Sequence, residues 1–410
     1  MPEFLELLSP GKALDVLLAH LPPVNFRSET VDLTEAWGRV TAQPVIAEVP
    51  LPAFPRSTVD GYAVRARDTF GASDTLPAYL SVVAEVPMGK KVDFSLGPAQ
   101  AALIHTGGML PEQADAVVML EHTQLARAGE IEVQKAVAVG ENILQVGEDI
   151  QVGQEALPAG KRLRAADIGS LAALGIVSVE VIVPPRVGIL SSGDEVVPPA
   201  TVPEPGQVRD INSYSLATLV RESGGQPVLY GILPDRAEVL KTSIQHALNE
   251  NDMVIITAGS SASTRDLTSE AINELGKPGV LVHGVNVRPG KPTILAVCDG
   301  KAVIGLPGNP VSALVIAHLF VKPLIERLLG LQENSRFAVL ARLTVNLASQ
   351  AGREDWVPAR LLPSGDGYLA EPIFYKSNLI FTLAKAHGLI HIPAPATGLA
   401  AGELVQVHII

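Results

Sequence analysis

Between Arg186 and Gly330 short apolar runs alternate with longer amphipathic ones, and this alternation restricts the possible folds more than any other feature of the chain. RVGIL leads into SSGDEVV, VLYGIL into Pro234-Asp235, MVIITAG into SSASTRDLTSEAINEL, and AVIGL into PGNPVSALV. DINSYSLATLVRESGG and RAEVLKTSIQHALNE read as helices, the first with a glycine stop. Strand runs alternating with helical runs predict parallel strands covered by helices on both faces. Ligands of such sheets bind outside the carboxyl ends of the strands. Here each strand end carries Ser, Gly, Asp or Asn.

The last of these strand ends is the most informative. In GLPGNPVSALV, Ala302 to Leu306 reads as a buried strand, while Val311, Leu314, Val315 and Leu319 have helical spacing. Asn309 suits the N-cap and Pro310 the first helical position, and Gly308 lets another group approach the backbone. Exposed amides at such a start attract anions. Five acids fall at neighbouring strand ends or helix starts: Asp194, Glu195, Asp210, Asp235 and Asp266. Each alone reads as a helix cap; together they could hold Mg2+, which takes oxygen ligands and keeps several waters. Cations are fewer. RPGKP presents Arg288 and Lys291 on a stiff Pro-Gly turn, whereas Arg265 reads equally well as a solvated surface charge. The inventory is Mg2+ plus phosphate, without a Walker lysine motif or a GxGxxG fingerprint.

Around this unit, 410 residues require several cores. GKALDVLLAHL reads as a helix capped by Ser9, followed by an extended ETVDLTEAWGRVTAQPVIA. Residues 51–140 have an all-β texture, with an Ala128-Gly129 turn, a Thr106-Gly107-Gly108 amide loop and an Asp60-Gly61 pair that suggests a hairpin turn. AADIGSLAALGI returns to helix, VVPPATVPEPG is a surface loop, and the segments after Gly330 suggest a small β barrel. With 31 Lys and Arg against 43 Asp and Glu, the net charge of -12 repels nucleic acid and anionic membrane. Cys298, the single cysteine, precludes an internal disulfide, fits a reducing compartment and reads as core. No basic leader and no long uninterrupted apolar run is present, so the expectation is a cytoplasmic protein without a membrane span.

In order, STVDGYAVR, HTGGMLPEQADAVVM, GENILQVGEDI, LSSGDEVV, GQVRDINSYSL, VNVRPGKP and GLPGNPVSA resemble the molybdopterin molybdenumtransferase family of bacterial MoeA and the gephyrin E domain. The resemblance implies an α/β multidomain chain: an elongated N-terminal domain (1–50 and 141–180), a β-rich insertion (51–140), a central α/β domain like molybdopterin adenylyltransferase (181–330) and a C-terminal small β barrel (331–410). It implies a homodimer that converts adenylyl-molybdopterin and molybdate to molybdenum cofactor and AMP with Mg2+. Molybdopterin adenylyltransferase and molybdoenzyme acceptors or chaperones are the implied partners. Catalytic roles fall on Asp60, Asp149, Glu195, Asp235 and Asp266, the last three also as metal ligands. Substrate contacts fall on Thr106, Gly107, Ser261, Arg288, Lys291, Gly308, Asn309 and Ser312. The chain departs from the family in AGSSASTRD, where Ala258 and Ser263 replace glycines, and at Arg288, where lysine is usual. Two alternatives remain at this level: an adenylyltransferase-like enzyme, and a non-catalytic molybdopterin-binding scaffold.

Overall fold

The computed structural model describes residues 7–258, 262–331, 337–365, 367–374 and 376–410, with backbone alone at 258 and 262–266. Its central unit runs β1 (Arg186–Ser192), α1 (Asn212–Glu222), β2 (Gln226–Leu233), α2 (Ala237–Glu250), β3 (Met253–Ala258), α3 (Ala262–Asn273), β4 (Pro278–His283), β5 (Ile294–Cys298), β6 (Lys301–Pro307) and α4 (Pro310–Ile316). The strands form one sheet in the order β2-β1-β3-β6-β5-β4. Both faces are covered, which explains the nearly continuous apolar strands. Val187 and Ile189 of β1 pack with Leu216 and Val220 of α1. Leu190 joins Leu240 and Ile244 of α2 on the opposite face.

The four strands β2, β1, β3 and β6 are parallel, as the alternation predicts. The remaining edge departs from that expectation: β5 is antiparallel to β6, and β4 to β5. The reason is local. Asp299 and Gly300 both take positive φ between Cys298 and Lys301, making a two-residue hairpin turn, whereas a parallel crossover needs about a dozen residues.

The helix Pro10–Ala19 buries Ala13 and Leu17 in the α/β core. Ser9 occupies its N-cap position without a side-chain capping bond, and Pro10 stands at the first helical position. Ser28–Asp32 pairs antiparallel with Ser178–Ile182, and beside them Leu163, Leu171 and Val181 form a separate small core. The β-rich insertion is a six-stranded sheet with a cluster of buried apolar residues on either side. Its strand Gly61–Val64 lies between Gln100–Ile104 and Ala116–Met119. Asp60-Gly61 therefore is not a hairpin turn. Gly61 is in the sheet interior, where an added Cβ would overlap the Val118 carbonyl oxygen.

At the carboxyl terminus Glu354–Ser364 pairs with both Gly367–Pro372 and Gly388–Ile392, and the latter with Leu404–Ile409. Ala338–Leu343 bridges Leu404–Ile409 to Gly367–Pro372, so these five strands close into a small barrel. Val287–Arg288 pairs parallel with Glu354–Asp355, which joins the RPGKP loop to the barrel.

Candidate functional site

Two cavities adjoin at the carboxyl edge of the sheet, and Asn309 lines both. The first, about 330 Å³, is walled by Ser191, Ser192, Glu195, Asp210, Asn212 and Thr257 among others. Its hydroxyls are ordered across the strand ends. Thr257 Oγ1 donates to Ser191 Oγ at 3.3 Å, and Ser191 Oγ lies 3.5 Å from Asp210 Oδ1. Asp210 Oδ1 also accepts from the Ser213 amide at 3.1 Å, in the first turn of α1. Ser192 Oγ donates to Asp235 Oδ1 at 2.5 Å, which ties the β1 end to the loop after β2. Asp194 is occupied by the Asp235 amide, at 3.2 Å. Gly308 lines this cavity, and its carbonyl accepts from Asn212 Nδ2 at 2.8 Å.

The second cavity, about 530 Å³, gathers cations. Arg288 and Lys291, on either side of the Pro-Gly turn, line it with Asn309 and Ser312. The barrel contributes Arg353, Lys376 and Ser377. Arg353 grips Asp355 with Nε and Nη2, at 2.7 and 3.1 Å, and Arg288 Nη1 lies 3.8 Å from the same carboxylate. Asp355 is only 2% exposed, so it fixes Arg353 from beneath. Lys291 is exposed and has no ion-pair partner among the described residues. Gly290 brings the loop close to α4: its φ is +111°, and a Cβ there would overlap the Ile316 side chain. Four cations and two hydroxyls around one space suit a multiply charged oxyanion.

The strand-to-helix turn after β6 differs from its expected form in one respect. Pro310 stands at the first helical position and Asn309 at the N-cap, yet Asn309 makes no side-chain capping bond. Its Nδ2 instead donates to Ser377 Oγ at 3.0 Å, and the Val311 amide donates to the Ser377 carbonyl at 3.1 Å. That amide is thus already engaged by the barrel. Arg353, Lys376 and Ser377 are missing from the residues singled out in the sequence. Their polar runs, GRED and YKSN, carry no periodic signal, and only barrel closure brings them to the α/β edge.

The remaining candidates lie elsewhere. Asp60 Oδ1 accepts from the Thr106 amide at 2.7 Å and from Thr106 Oγ1 at 3.1 Å, with His105 Nδ1 at 3.7 Å. The Thr106 amide, then its hydroxyl, hold the Asp60 carboxyl below the usual range. Gly107 follows with φ +84°. Asp149 is exposed, and its amide donates to the Leu51 carbonyl at 2.9 Å. None of these four lines either cavity. Ser261 lies outside the described residues; Asp266 has its backbone in α3, while its side chain lies outside them. Among the described residues no group of three or more His, Cys, Asp or Glu side chains is placed to hold a metal ion. Cys298 is core: burial pushes its thiol up to about 11, and Sγ faces the Ile272 carbonyl at 3.6 Å. No helix among the described residues is long and apolar enough to cross a membrane.

Three family models match consecutive parts of the chain: MoeA N-terminal region (domain I and II) at 8–175, probable molybdopterin binding domain at 188–327, and MoeA C-terminal region (domain IV) at 340–410. The molybdopterin molybdenumtransferase of Nostoc sp. is 34% identical over 407 residues, covering 96% of this chain and 92% of the relative. That of Bacillus subtilis is 33% identical over 387 residues, covering 93% and 90%. The crystal structure of a molybdopterin biosynthesis MoeA protein from Pyrococcus horikoshii OT3 superposes with a TM-score of 0.86 at 33% identity, covering 99% of this chain and all of that one. With matching models along most of its length, and relatives of this identity over nearly all of it, the chain belongs to the MoeA family of molybdopterin molybdenumtransferases, enzymes of molybdenum cofactor biosynthesis.

Proposed function

We propose that this chain inserts molybdenum from molybdate into adenylyl-molybdopterin and releases AMP in a Mg2+-dependent reaction. The observation that carries the reading is the shared wall at Asn309, with an acid-and-hydroxyl cavity on one side and a four-cation cavity on the other. Molybdate, a tetrahedral dianion, suits the cations and the Ser312 and Ser377 hydroxyls. The adenylyl-molybdopterin suits the strand ends, with its reacting end toward Asn309.

The donor set fits Mg2+ shared with substrate phosphates better than an all-protein cage. Glu195 and Asp235 offer hard carboxylate oxygens, and Mg2+ commonly combines one or two carboxylates with phosphates and waters. When bound, the metal neutralises charge on the phosphoanhydride. The chain's own residues do the positioning. Ser192 orients Asp235, Asp355 orients Arg353, and Asn309 couples the turn after β6 to Ser377. Asp60 is held ionised yet lines neither cavity of its own chain, which supports a homodimer in which the partner's insertion domain brings its acid to this edge. In the cytoplasm an adenylyltransferase would supply the substrate, and molybdoenzymes or their chaperones would accept the product.

The test is AMP release by the purified chain supplied with adenylyl-molybdopterin, Mg2+ and either molybdate or tungstate. Release that requires both oxyanion and metal is expected. ATP-dependent adenylylation of apo-molybdopterin would overturn the reading in favour of an adenylyltransferase. Tight binding of adenylyl-molybdopterin without turnover under every condition would overturn it in favour of a scaffold.

A further inference from the structure

One buried polar atom at the wall of the acid cavity has no hydrogen-bond partner among the described residues. Asn212, the first residue of α1, is 8% exposed and lines that cavity. Its Nδ2 donates to the Gly308 carbonyl, and since only the nitrogen of an amide can donate to a carbonyl, this bond sets the orientation of the group. Oδ1 then faces away from Gly308, buried and without a hydrogen-bond partner among the described residues. Buried acceptors are almost always paired, so an unpaired one at a cavity wall calls for a donor from outside the chain.

The surrounding groups share this character. Thr257 spends its proton on Ser191, Ser191 faces Asp210, and Ser192 spends its proton on Asp235. The Asp210 carboxylate, likewise buried, stands two residues before Asn212. These hydroxyls donate within the wall, which leaves Asn212 Oδ1 and the Asp210 carboxylate as the buried acceptors beside them, while Arg209 lines the same cavity.

We propose that Asn212 is the specificity-determining contact for the pterin of the substrate, its Oδ1 accepting from the edge that carries the 2-amino group and N3–H. This rests on the substrate assigned above. Adenine fits the same wall poorly, because its edge sets one amino donor beside a ring-nitrogen acceptor. The Asn212 amide has two N–H donors and Gly308 takes only one, so the discrimination rests on the neighbouring Asp210 carboxylate, a second acceptor that would face the ring-nitrogen acceptor of adenine but the ring N–H of a pterin. A pterin edge presents two adjacent donors, which match the two buried acceptors Asn212 Oδ1 and the Asp210 carboxylate.

The full chain is titrated calorimetrically with 6-hydroxymethylpterin, with its lumazine analogue, in which oxygen replaces the 2-amino group, and with AMP. The native chain should bind the pterin at least about tenfold more tightly than the lumazine, since a site built for a donor rejects the analogue lacking it. Asn212→Leu should weaken pterin binding about tenfold, erase the pterin preference and leave AMP unchanged. Asn212→Asp keeps acceptor oxygens but cannot donate to Gly308; it should retain the preference. Loss of the preference in Asn212→Asp as in Asn212→Leu would reduce Asn212 to a tie between α1 and Gly308 and overturn the proposal. Equal affinity of the native chain for pterin and lumazine would overturn it with no variant involved, as would Asn212→Leu weakening AMP alone. Native protein that binds neither pterin nor AMP would overturn the substrate reading itself, whereas pterin binding indifferent to Asn212 would overturn this inference only.

Discussion

Lys291 offers its charge to the cationic cavity without an ion-pair partner among the described residues, whereas Arg353 and Arg288 share Asp355. On a chain of net charge -12, fixed cations dominate the attraction of an oxyanion. Lys291→Ala should therefore weaken molybdate binding by ~1.5–3 kcal/mol, or roughly ten to a hundredfold, with a larger effect at low salt. Titrations at two ionic strengths check this. Arg288→Lys should be milder, because it keeps the charge and loses only the guanidinium fork. On the insertion domain, the Thr106 amide and hydroxyl favour ionised Asp60 and so lower its pKa. Removing the hydroxyl in Thr106→Val raises that pKa toward the ordinary carboxylate value. If turnover needs ionised Asp60, the acid limb of the pH–rate profile should move to higher pH, with the plateau near neutrality retained. An acid limb that does not move would detach Asp60 from the limiting ionisation. At this scale the sequence was legible where a residue carries its chemistry locally, as at Arg288 and Lys291. It was opaque at Arg353, Lys376 and Ser377, which come to line the cationic cavity only through contacts distant in sequence.

Turns decide what the strands and helices present. RPGKP reaches the cavity because Gly290, at φ +111°, packs directly on Ile316 of α4. Gly290→Ala would meet both an unfavourable backbone conformation and a steric overlap. It should displace Arg288 and Lys291 together, lower the melting temperature by several degrees and weaken molybdate binding more than Arg288→Lys does; thermal unfolding and calorimetry on one preparation check both. Two Asp-Gly pairs show how far local signals reach. Asp299-Gly300 makes a hairpin turn and sets β5 antiparallel to β6. Asp60-Gly61 has the same dipeptide but opens a central strand, because neighbours on both sides take up its backbone groups. Likewise Asn309 stands where a cap belongs, and Ser377 of the barrel claims its side chain. Dipeptide and capping preferences are worth about 1 kcal/mol, which one tertiary contact can outweigh.

Across the whole molecule, a few contacts join parts that have separate cores. Arg162, from the segment leading into helix Ala165–Ala173, donates to the Gly38 carbonyl at 3.2 Å and to the Ser223 carbonyl at the end of α1 at 2.7 Å. Burial holds its pKa below the ordinary arginine value, and Glu326 opposes that shift. Arg162→Ala should destabilise the chain by about 1–3 kcal/mol, since two carbonyls lose a charged donor, while molybdate affinity stays within about twofold. Differential scanning calorimetry with molybdate titration checks this; a large loss of affinity would show that the joint also sets the cavities. The sequence by itself determined the parallel core of the α/β unit, the barrel texture, the strand-to-helix turn after β6 with Pro310 at the first helical position, and the cations of RPGKP. Hydrophobic period, glycine and proline act within a few residues, so a single chain displays them directly. Only the tertiary structure decided that Asn309 faces two cavities, that the barrel supplies half of the cations, and that Asn212 keeps an unpaired acceptor. Each of these depends on which buried polar groups find partners far along the chain, and that pairing exists only once the domains are packed.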